Sequence, residues 1–483
     1  MSITKKVVHS LKWLTATKLA AQLLRWGVTF IVIRLLMPED YGIYAMADVV
    51  MYFFALFSGA GMASALIQVR SFTVTQMRQV LGLLMVVNLS LALMVFLLAP
   101  WIASFYQEER VIPVLYALLF GFLTVVVETL PTAMLEREMR FKSLSLIELV
   151  AATSSALVTL ILALLDFGVW SLVFGHLSEL LLRAGLKFAV HPVWILPQFR
   201  FGESLHLMTF GATKTLTFLA WFLLVSIDTI IGGRLWDTET LGIYAVALQL
   251  SYIPMNKLVP LVKQVAFPAY SKLHQGDGRL APYVLKANGL IMVPSFPVFF
   301  GFAATAPSLV PLLLGEKWLA VILPASLVPL MLPLRASQEL MDPAFEASGR
   351  PADALKNWLI TLAIMAPTLY IGALNWGIAG MCWGWLLGIP VSYLITSSRA
   401  IRRLQLPATE FAGTVLRPFI PALAMFTAIR LFHHFVVGEI PLAALLLSEI
   451  LLGSAIYLGL AWIMCRRELL HLIELSKLGT GRS

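Results

Sequence analysis

Charge is scarce in this chain. Only 13% of its 483 residues are Asp, Glu, Lys or Arg, where a soluble domain carries about 25%. Such a sequence can fold a large core but cannot coat it with polar side chains, which excludes a water-soluble globule. Cysteine is almost missing. Cys382 and Cys465 are the only two, so there is no disulfide framework, and each falls in or beside a predicted helix as a small apolar residue. No phosphate-binding loop closing on Gly-Lys-Ser or Gly-Lys-Thr occurs, which argues against ATP drive within the chain. Long hydrophilic loops are lacking too, and with them the room for a catalytic loop. A cleavable leader is not expected either. Lys5, Lys6 and Lys12 lead into an apolar stretch too long for a signal peptide core, with no convincing cleavage site.

What the chain has is apolar length. Hydrophobic residues make up 59% and the mean hydropathy is +0.87. A spanning helix needs roughly 20 mostly apolar residues, and such stretches recur almost throughout. The turn and charge signals predict helices over 11–36, 41–67, 78–104, 111–134, 144–165, 168–190, 204–232, 240–262, 283–310, 319–341, 354–374, 376–398, 411–433 and 441–464. The fold class is therefore all-α integral membrane, with about fourteen transmembrane helices.

The net charge of +9 does not indicate nucleic acid, because the basic residues are dispersed among short loops. Their distribution sets the orientation instead. With the N-terminus placed inside, the inner loops hold Arg70 and Arg78; Arg137, Arg140 and Lys142; Lys187 and Arg200; Lys263, Lys272 and Arg279; Arg350 and Lys356; and Arg399, Arg402 and Arg403. The tail adds Arg466, Arg467, Lys477 and Arg482, while the outer connections hold only Arg34, Arg110, Arg234 and Lys317. A wrong helix count would invert this alternation partway, so both termini are expected to be cytoplasmic.

Residues 34–47 read RLLMPEDYGIYAMA and residues 234–247 read RLWDTETLGIYAVA, an ungapped match at a spacing of 200. Six predicted helices separate the copies, so they share one orientation. Two parallel six-helix lobes follow, at 1–200 and 201–405, with a cavity between them and two additional C-terminal helices plus a tail at 406–483.

Ionisable residues inside predicted spans cost about 2.5–3.5 kcal/mol each at a helix centre, so they mark partners or a wet path. Lys18, Gln22, Arg25 and Thr29 form one stripe on the first helix. Lys214, Thr217, Trp221 and Asp228 share a face of the seventh. Asp48 follows Tyr44 by one turn on the second, Gln249, Tyr252, Asn256 and Lys257 occupy the equivalent place on the eighth, and Arg335, Gln338, Glu339 and Asp342 line the tenth. Lys18, Arg25, Asp48, Lys214, Asp228, Lys257 and Arg335 are the candidate substrate-binding residues. The plainer reading is structural: Lys18–Asp48 and Lys214–Asp228 as packing ion pairs, Arg335 held by Glu339, and Lys257 reaching the inner interface. Glu128, Glu148, Glu179, Arg183 and Glu449 stand alone on their helices and read mostly as structural pairs or interface charges. His433-His434 reads as an interfacial pair, and Trp13, Trp101, Trp318 and Trp376 as belt residues near helix ends. A cavity lined this way suits a phosphate-bearing head, with Gln, Asn, Thr and Tyr replacing water around hydroxyls. An outward-moving anion would gain about 2.3 kcal/mol per charge per 100 mV. No metal site is expected.

RLLMPEDYGIYAMADV (34–49), SGAGMASALIQ (58–68), LEREMRFKSLSLIELV (135–150), DTIIGGRL (228–235) with LGIYAVA (241–247), and LLLGEKW (312–318) resemble the Wzx-type polysaccharide exporters. These belong to the multidrug/oligosaccharidyl-lipid/polysaccharide superfamily, and the exopolysaccharide branch of the colanic-acid exporter kind is the most similar. The resemblance covers most of the chain and weakens after about residue 405. It implies a non-enzymatic flippase of the bacterial inner membrane that moves undecaprenyl-pyrophosphate-linked repeat units outward by alternating access. No cofactor is implied beyond coupling to H+ or Na+ and the membrane potential. Implied partners are the lipid-linked glycan, membrane lipids, and the polysaccharide polymerase and chain-length machinery. By position Lys18, Arg25, Asp48, Lys214 and Lys257 match the family's lobe-facing charges. A multidrug or cation antiporter of the same fold expects an acidic or apolar pocket, and a glycan ligase or polymerase expects a long periplasmic loop. A flippase for a lipid-linked peptidoglycan precursor shares the fold and the charge logic.

Overall fold

A computed structural model describes residue 22 and residues 25–59, 73–200, 212–274 and 280–470. Regular structure among them is helical throughout. Lipid offers no partner for backbone N–H and C=O groups, so the apolar runs must close their hydrogen bonds within helices. Helix α1 occupies 25–35. It is followed by α2 (Pro38–Ala55), α3 (Val74–Tyr106), α4 (Val111–Leu118), α5 (Phe120–Arg137), α6 (Phe141–Leu164) and α7 (Val169–Val190). Then come α8 (Ala212–Leu235), α9 (Thr238–His274), α10 (Ala281–Leu313), α11 (Ile322–Leu327), α12 (Leu332–Ala347), α13 (Pro351–Arg403), α14 (Ala408–Val436) and α15 (Leu442–Met464). Among the described residues, nine helical stretches are long and apolar enough to cross a membrane. Leu97, Leu451 and Ile463 lie on their outward faces, where the solvent is acyl chain. The protein is a multi-pass integral membrane protein.

Local chemistry sets the ends. Thr73 caps α3 by accepting from Gln76 N at 3.1 Å, while the Gln76 side chain accepts from Thr73 N at 2.9 Å. Helix α3 stops where Gln107 turns to φ 58°, and α13 breaks at Gly377, φ 57°. Two expectations are corrected. The second helix was expected to run to residue 67, but α2 ends at Ala55. Ser58 Oγ donates to Ala55 O at 2.8 Å and Gly59 takes φ 132°, together ending the helix; residues 60–72 lie outside the described residues. The tenth helix was expected to be continuous over 319–341. It is a chain of short pieces: a 3₁₀ turn at Glu316–Val321, α11, a second 3₁₀ turn at Val328–Met331, then α12. Pro324, Pro329 and Pro333 remove amide donors in this stretch and break the ladder.

The chain divides into two compact units. The first comprises Met1–Thr215 with Gly232–Gly242. Its core includes Ile43, Met46, Ala99, Leu115 and Val173. Helices α6 and α7 approach closely at Gly175, whose carbonyl accepts from Ser155 Oγ at 2.8 Å. The two copies of the repeat meet reciprocally. A Cβ on Gly42 would overlap the Thr238 carbonyl, with the Thr238 carbon at 2.8 Å, and a Cβ on Gly242 would overlap the Pro38 carbonyl, with the Pro38 carbon at 2.6 Å. Positions 38 and 238, like 42 and 242, are equivalent in the repeat.

At the turn between α3 and α4, Arg110 binds Glu108 at 2.8 Å and Glu39 at 3.0 Å. The hydrogen bond from Arg110 holds the Glu108 carboxyl below its ordinary range. A depressed carboxylate stabilises the fold fully above its unfolded value, about 4.3, and the contribution fades as pH falls through the folded value. Arg110 is half exposed, so Arg110→Ala is expected to destabilise by less than about 1 kcal/mol at neutral pH. That difference should vanish in acid and shrink with salt, as thermal unfolding of the purified protein would read.

The second unit comprises Leu216–Ile231 and Ile243–Ser483. Its core is built from α10, α12 and α14, with Phe296, Phe299, Leu332, Phe345 and Ile429. Helix α15 is fastened to α10 by Tyr457 OH, which donates to Val293 O at 2.6 Å. A buried node adds to this. Ser308 Oγ donates to Glu449 Oε1 at 3.0 Å, and His433 Nδ1 lies 2.8 Å from the same oxygen. His433 is thus a packed partner of Glu449 rather than an interfacial residue. Trp318 is likewise corrected: it is fully buried, because the 3₁₀ turn rolls it inward, whereas Trp101 and Trp376 are exposed as belt residues would be.

Candidate functional site

The candidate residues fall at different places in the two units. Lys18 and the side chain of Lys214 lie outside the described residues. In the first unit, Arg25 Nη2 donates to Gln22 Oε1 at 2.6 Å and Thr29 Oγ1 donates to Arg25 O at 2.9 Å, so the stripe Gln22–Arg25–Thr29 is present as spaced. The Arg25 Nε is buried with no hydrogen-bond partner. Asp48 lies on the exposed side of α2, and its charge acts on Tyr44, one turn back, and on His176 of α7. His176 was not singled out in the sequence, where a lone histidine in an apolar helix carries no signal of its neighbour.

Lys187, counted above among inner-loop cations, is corrected. It sits within α7, 6% exposed. Its Nζ lies 3.1 Å from both Glu128 and Glu148, while Arg183 Nε and Nη2 bind Glu128 at 3.0 and 3.1 Å. The acidic residues of α5 and α6 that looked isolated are closed by two cations one turn apart on α7. They are structural pairs, and the cations are fully engaged by them.

In the second unit, Asp228 is completely buried. Its Oδ2 accepts from Tyr244 OH at 2.9 Å and its Oδ1 from Thr229 N at 2.7 Å, and Trp385 Nε1 donates to Tyr244 OH at 2.8 Å. Arg335 stands beside this node, 1% exposed. Its guanidinium carbon lies 5.2 Å from the Tyr252 ring centre and 5.5 Å from that of Trp385, and Nη1 donates to Tyr252 OH. The structure therefore brings Asp228 and Arg335 together through Tyr244, Tyr252 and Trp385. Arg335 is not held by Glu339, which pairs instead with Lys263 at 3.0 Å. No described carboxylate forms an ion pair with Arg335, and its Nε is buried without a partner. Lys257 is exposed on α9.

Two features of this arrangement are chemically unusual. Arg25 and Arg335 each carry an orphaned buried Nε and no carboxylate partner among the described residues. A guanidinium in that condition is a strong donor awaiting an acceptor, and phosphate oxygen is the acceptor its planar fork fits best.

An all-helical membrane protein that holds guanidinium groups with free donors among its helices has the architecture of a transporter. The solved structure of the lipid II flippase MurJ, in an inward closed conformation, superposes with a TM-score of 0.74 over 93% of this chain and 99% of that one, at 12% identity, which shows a shared fold. The chain belongs to the family described as polysaccharide biosynthesis protein, whose model matches residues 31–323. Among its relatives, the teichuronic acid biosynthesis protein TuaB of Bacillus subtilis is 25% identical over 88% of both chains. The succinoglycan biosynthesis transport protein ExoT of Rhizobium meliloti is 25% identical over 98% of this chain and 96% of that one.

Proposed function

We propose that this protein is a flippase that carries an undecaprenyl-pyrophosphate-linked oligosaccharide unit from the cytoplasmic to the periplasmic leaflet of the bacterial inner membrane. The unit then enters surface or exported polysaccharide. Relatives named for teichuronic acid and succinoglycan biosynthesis support a lipid-linked glycan as cargo, and the MurJ-like fold supports movement of a polyprenyl-linked head group. On this reading the lobes are 1–200 and 201–405, both termini are cytoplasmic, and transport runs by alternating access. The membrane potential favours outward movement of the anionic head, and H+ or Na+ entry completes the drive. A polymerase and its chain-length partners receive the product.

The observation that carries the reading is the pair of arginines with unsatisfied Nε atoms. Arg25 offers one from a polar stripe, and Arg335 offers one from beside Tyr252, to which its Nη1 donates. Lys18 and Lys214 extend the cationic set by sequence position. Each of Arg25→Gln, Arg335→Gln, Lys18→Gln and Lys214→Gln is expected to lower export at least about tenfold, the scale of one charge-assisted hydrogen bond, while membrane insertion persists. Lipid-linked glycan should accumulate on the cytoplasmic side, as in a deletion strain of the native host, read by glycosidase-accessibility of the lipid fraction in oriented vesicles. Undiminished export by all four variants would remove the basis of the assignment.

A further inference from the structure

Tyr244 is the tyrosine of the second Gly-Ile-Tyr-Ala. It stands in the middle of a directed chain of hydrogen bonds that crosses three helices of the second unit. Trp385 of α13 donates its indole N–H to Tyr244 OH at 2.8 Å, and Tyr244 of α9 donates onward to Asp228 Oδ2 on α8 at 2.9 Å. An indole nitrogen only donates and an ionised carboxylate only accepts, so the chain runs one way. Asp228 is itself anchored, its Oδ1 accepting from Thr229 N at 2.7 Å. Trp385, Tyr244 and Asp228 are all fully buried, so bulk water does not compete for these bonds.

The chain ends on the ring that carries the arginine. The Arg335 guanidinium carbon lies 5.5 Å from the Trp385 ring centre and 5.2 Å from that of Tyr252. A ring face fixes the plane of a guanidinium resting on it and offsets part of its lost hydration. An untethered indole can turn about its side-chain bonds and carry the guanidinium with it. The bond to Tyr244 removes that freedom. Nη1 of Arg335 is engaged by Tyr252 OH, and the buried Nε keeps no partner. Asp228 interacts with the charge of Arg335, yet no described carboxylate takes one of its donors.

Packing alone does not call for this chain. The first copy of the repeat builds the same helix–turn–helix with Tyr44 in place of Tyr244. The position equivalent to Asp228 there is Val28, which is buried and accepts no hydrogen bond. The anchoring carboxylate belongs to the second copy, whose unit holds Arg335.

We infer that Tyr244 and Trp385 are positioning residues for Arg335: the chain from Trp385 through Tyr244 to Asp228 holds the guanidinium so that its Nε–H stays free for a phosphate oxygen of the cargo. The inference rests on the flippase reading and deepens it. It moves Asp228 from the cargo to the support of the arginine, and it gives the tyrosine of the second repeat a task that Tyr44 does not share.

The test is a head-group affinity measured on the purified full-length protein in detergent. Undecaprenyl pyrophosphate is the probe, and undecaprenol, which lacks the head, is the reference. Tyr244→Phe and Trp385→Phe change no charge, so a loss of anion affinity in them is a loss of geometry. Each is expected to bind undecaprenyl pyrophosphate about tenfold more weakly, within the range a misplaced group can cost, with undecaprenol binding unchanged. In an Arg335→Gln background the same two changes should add nothing further. Binding is read well below each variant's unfolding midpoint, so that lowered stability alone does not move it. If one variant fails to fold, the other carries the test. Unchanged affinity in the phenylalanine variants, or losses that persist at full size once Arg335 is gone, would overturn the proposal and leave the chain as packing. Undecaprenyl pyrophosphate bound no more tightly than undecaprenol by the unaltered protein would instead remove the flippase reading, and this inference with it.

Discussion

Alanine at Gly242 is expected to remove the folded protein from the membrane, or to lower its stability by about 3 kcal/mol or more. The added Cβ would lie 2.6 Å from the Pro38 carbonyl carbon and 2.9 Å from the Gly42 nitrogen. Both are backbone atoms inside helical ladders, so neither can swing aside as a side chain would. Relief demands that two helix ends part. Gly42→Ala should behave the same way, since its Cβ would strike the Thr238 backbone. Gly27→Ala is the control: nothing lies within 4 Å of a Cβ there, and its effect should stay within about 1 kcal/mol. Size-exclusion profiles of extracted protein and its unfolding midpoint would check all three. Intact, normally stable Gly242→Ala protein would contradict the close crossing.

The second large effect is expected at Glu128. It accepts from Arg183 and Lys187 together, and its side chain is 14% exposed. Glu128→Gln leaves Lys187, 7% exposed at its side chain, with only the half-exposed Glu148. Removing one partner from a buried ion cluster strands the rest, at about 3 kcal/mol or more. Pairing Glu128→Met with Lys187→Met should recover most of the loss, because the stranded charge goes with its partner. A double variant as unstable as the sum of the singles would mean that the two residues do not interact.

The helical membrane architecture was legible because it is written in quantities that sum along the chain: apolar length, charge scarcity and the breaks at 107–110, 166–168 and 376–377. The arginines were legible as misplaced charge, and the 34–47/234–247 repeat as ungapped identity. Partner choice was not. The sequence put Arg335 beside Glu339 by one-turn spacing, yet Glu339 reaches Lys263, 76 positions away, and Arg335 rests on aromatic rings. Periodicity reports which residues share a helix face and says nothing of what faces them. His176 beside Asp48, and Trp385 above Tyr244, belong to the same blind spot. Lys187 failed for a related reason: a cation near a helix end has the same spelling whether it meets lipid head groups or a buried glutamate. The early stop of α2 was readable in Ser58-Gly59, but the surrounding run of small apolar residues masked it.

The reciprocal crossing at Gly42 and Gly242 also bears on why residues 34–47 and 234–247 still match. Where two side chains meet, one that grows can be met by one that shrinks. At the crossing that trade is closed. Gly42 abuts the Thr238 main chain and Gly242 the Pro38 main chain, which have nothing to trim, so neither copy of Gly-Ile-Tyr-Ala can change at that position and the sequence match stays recorded there.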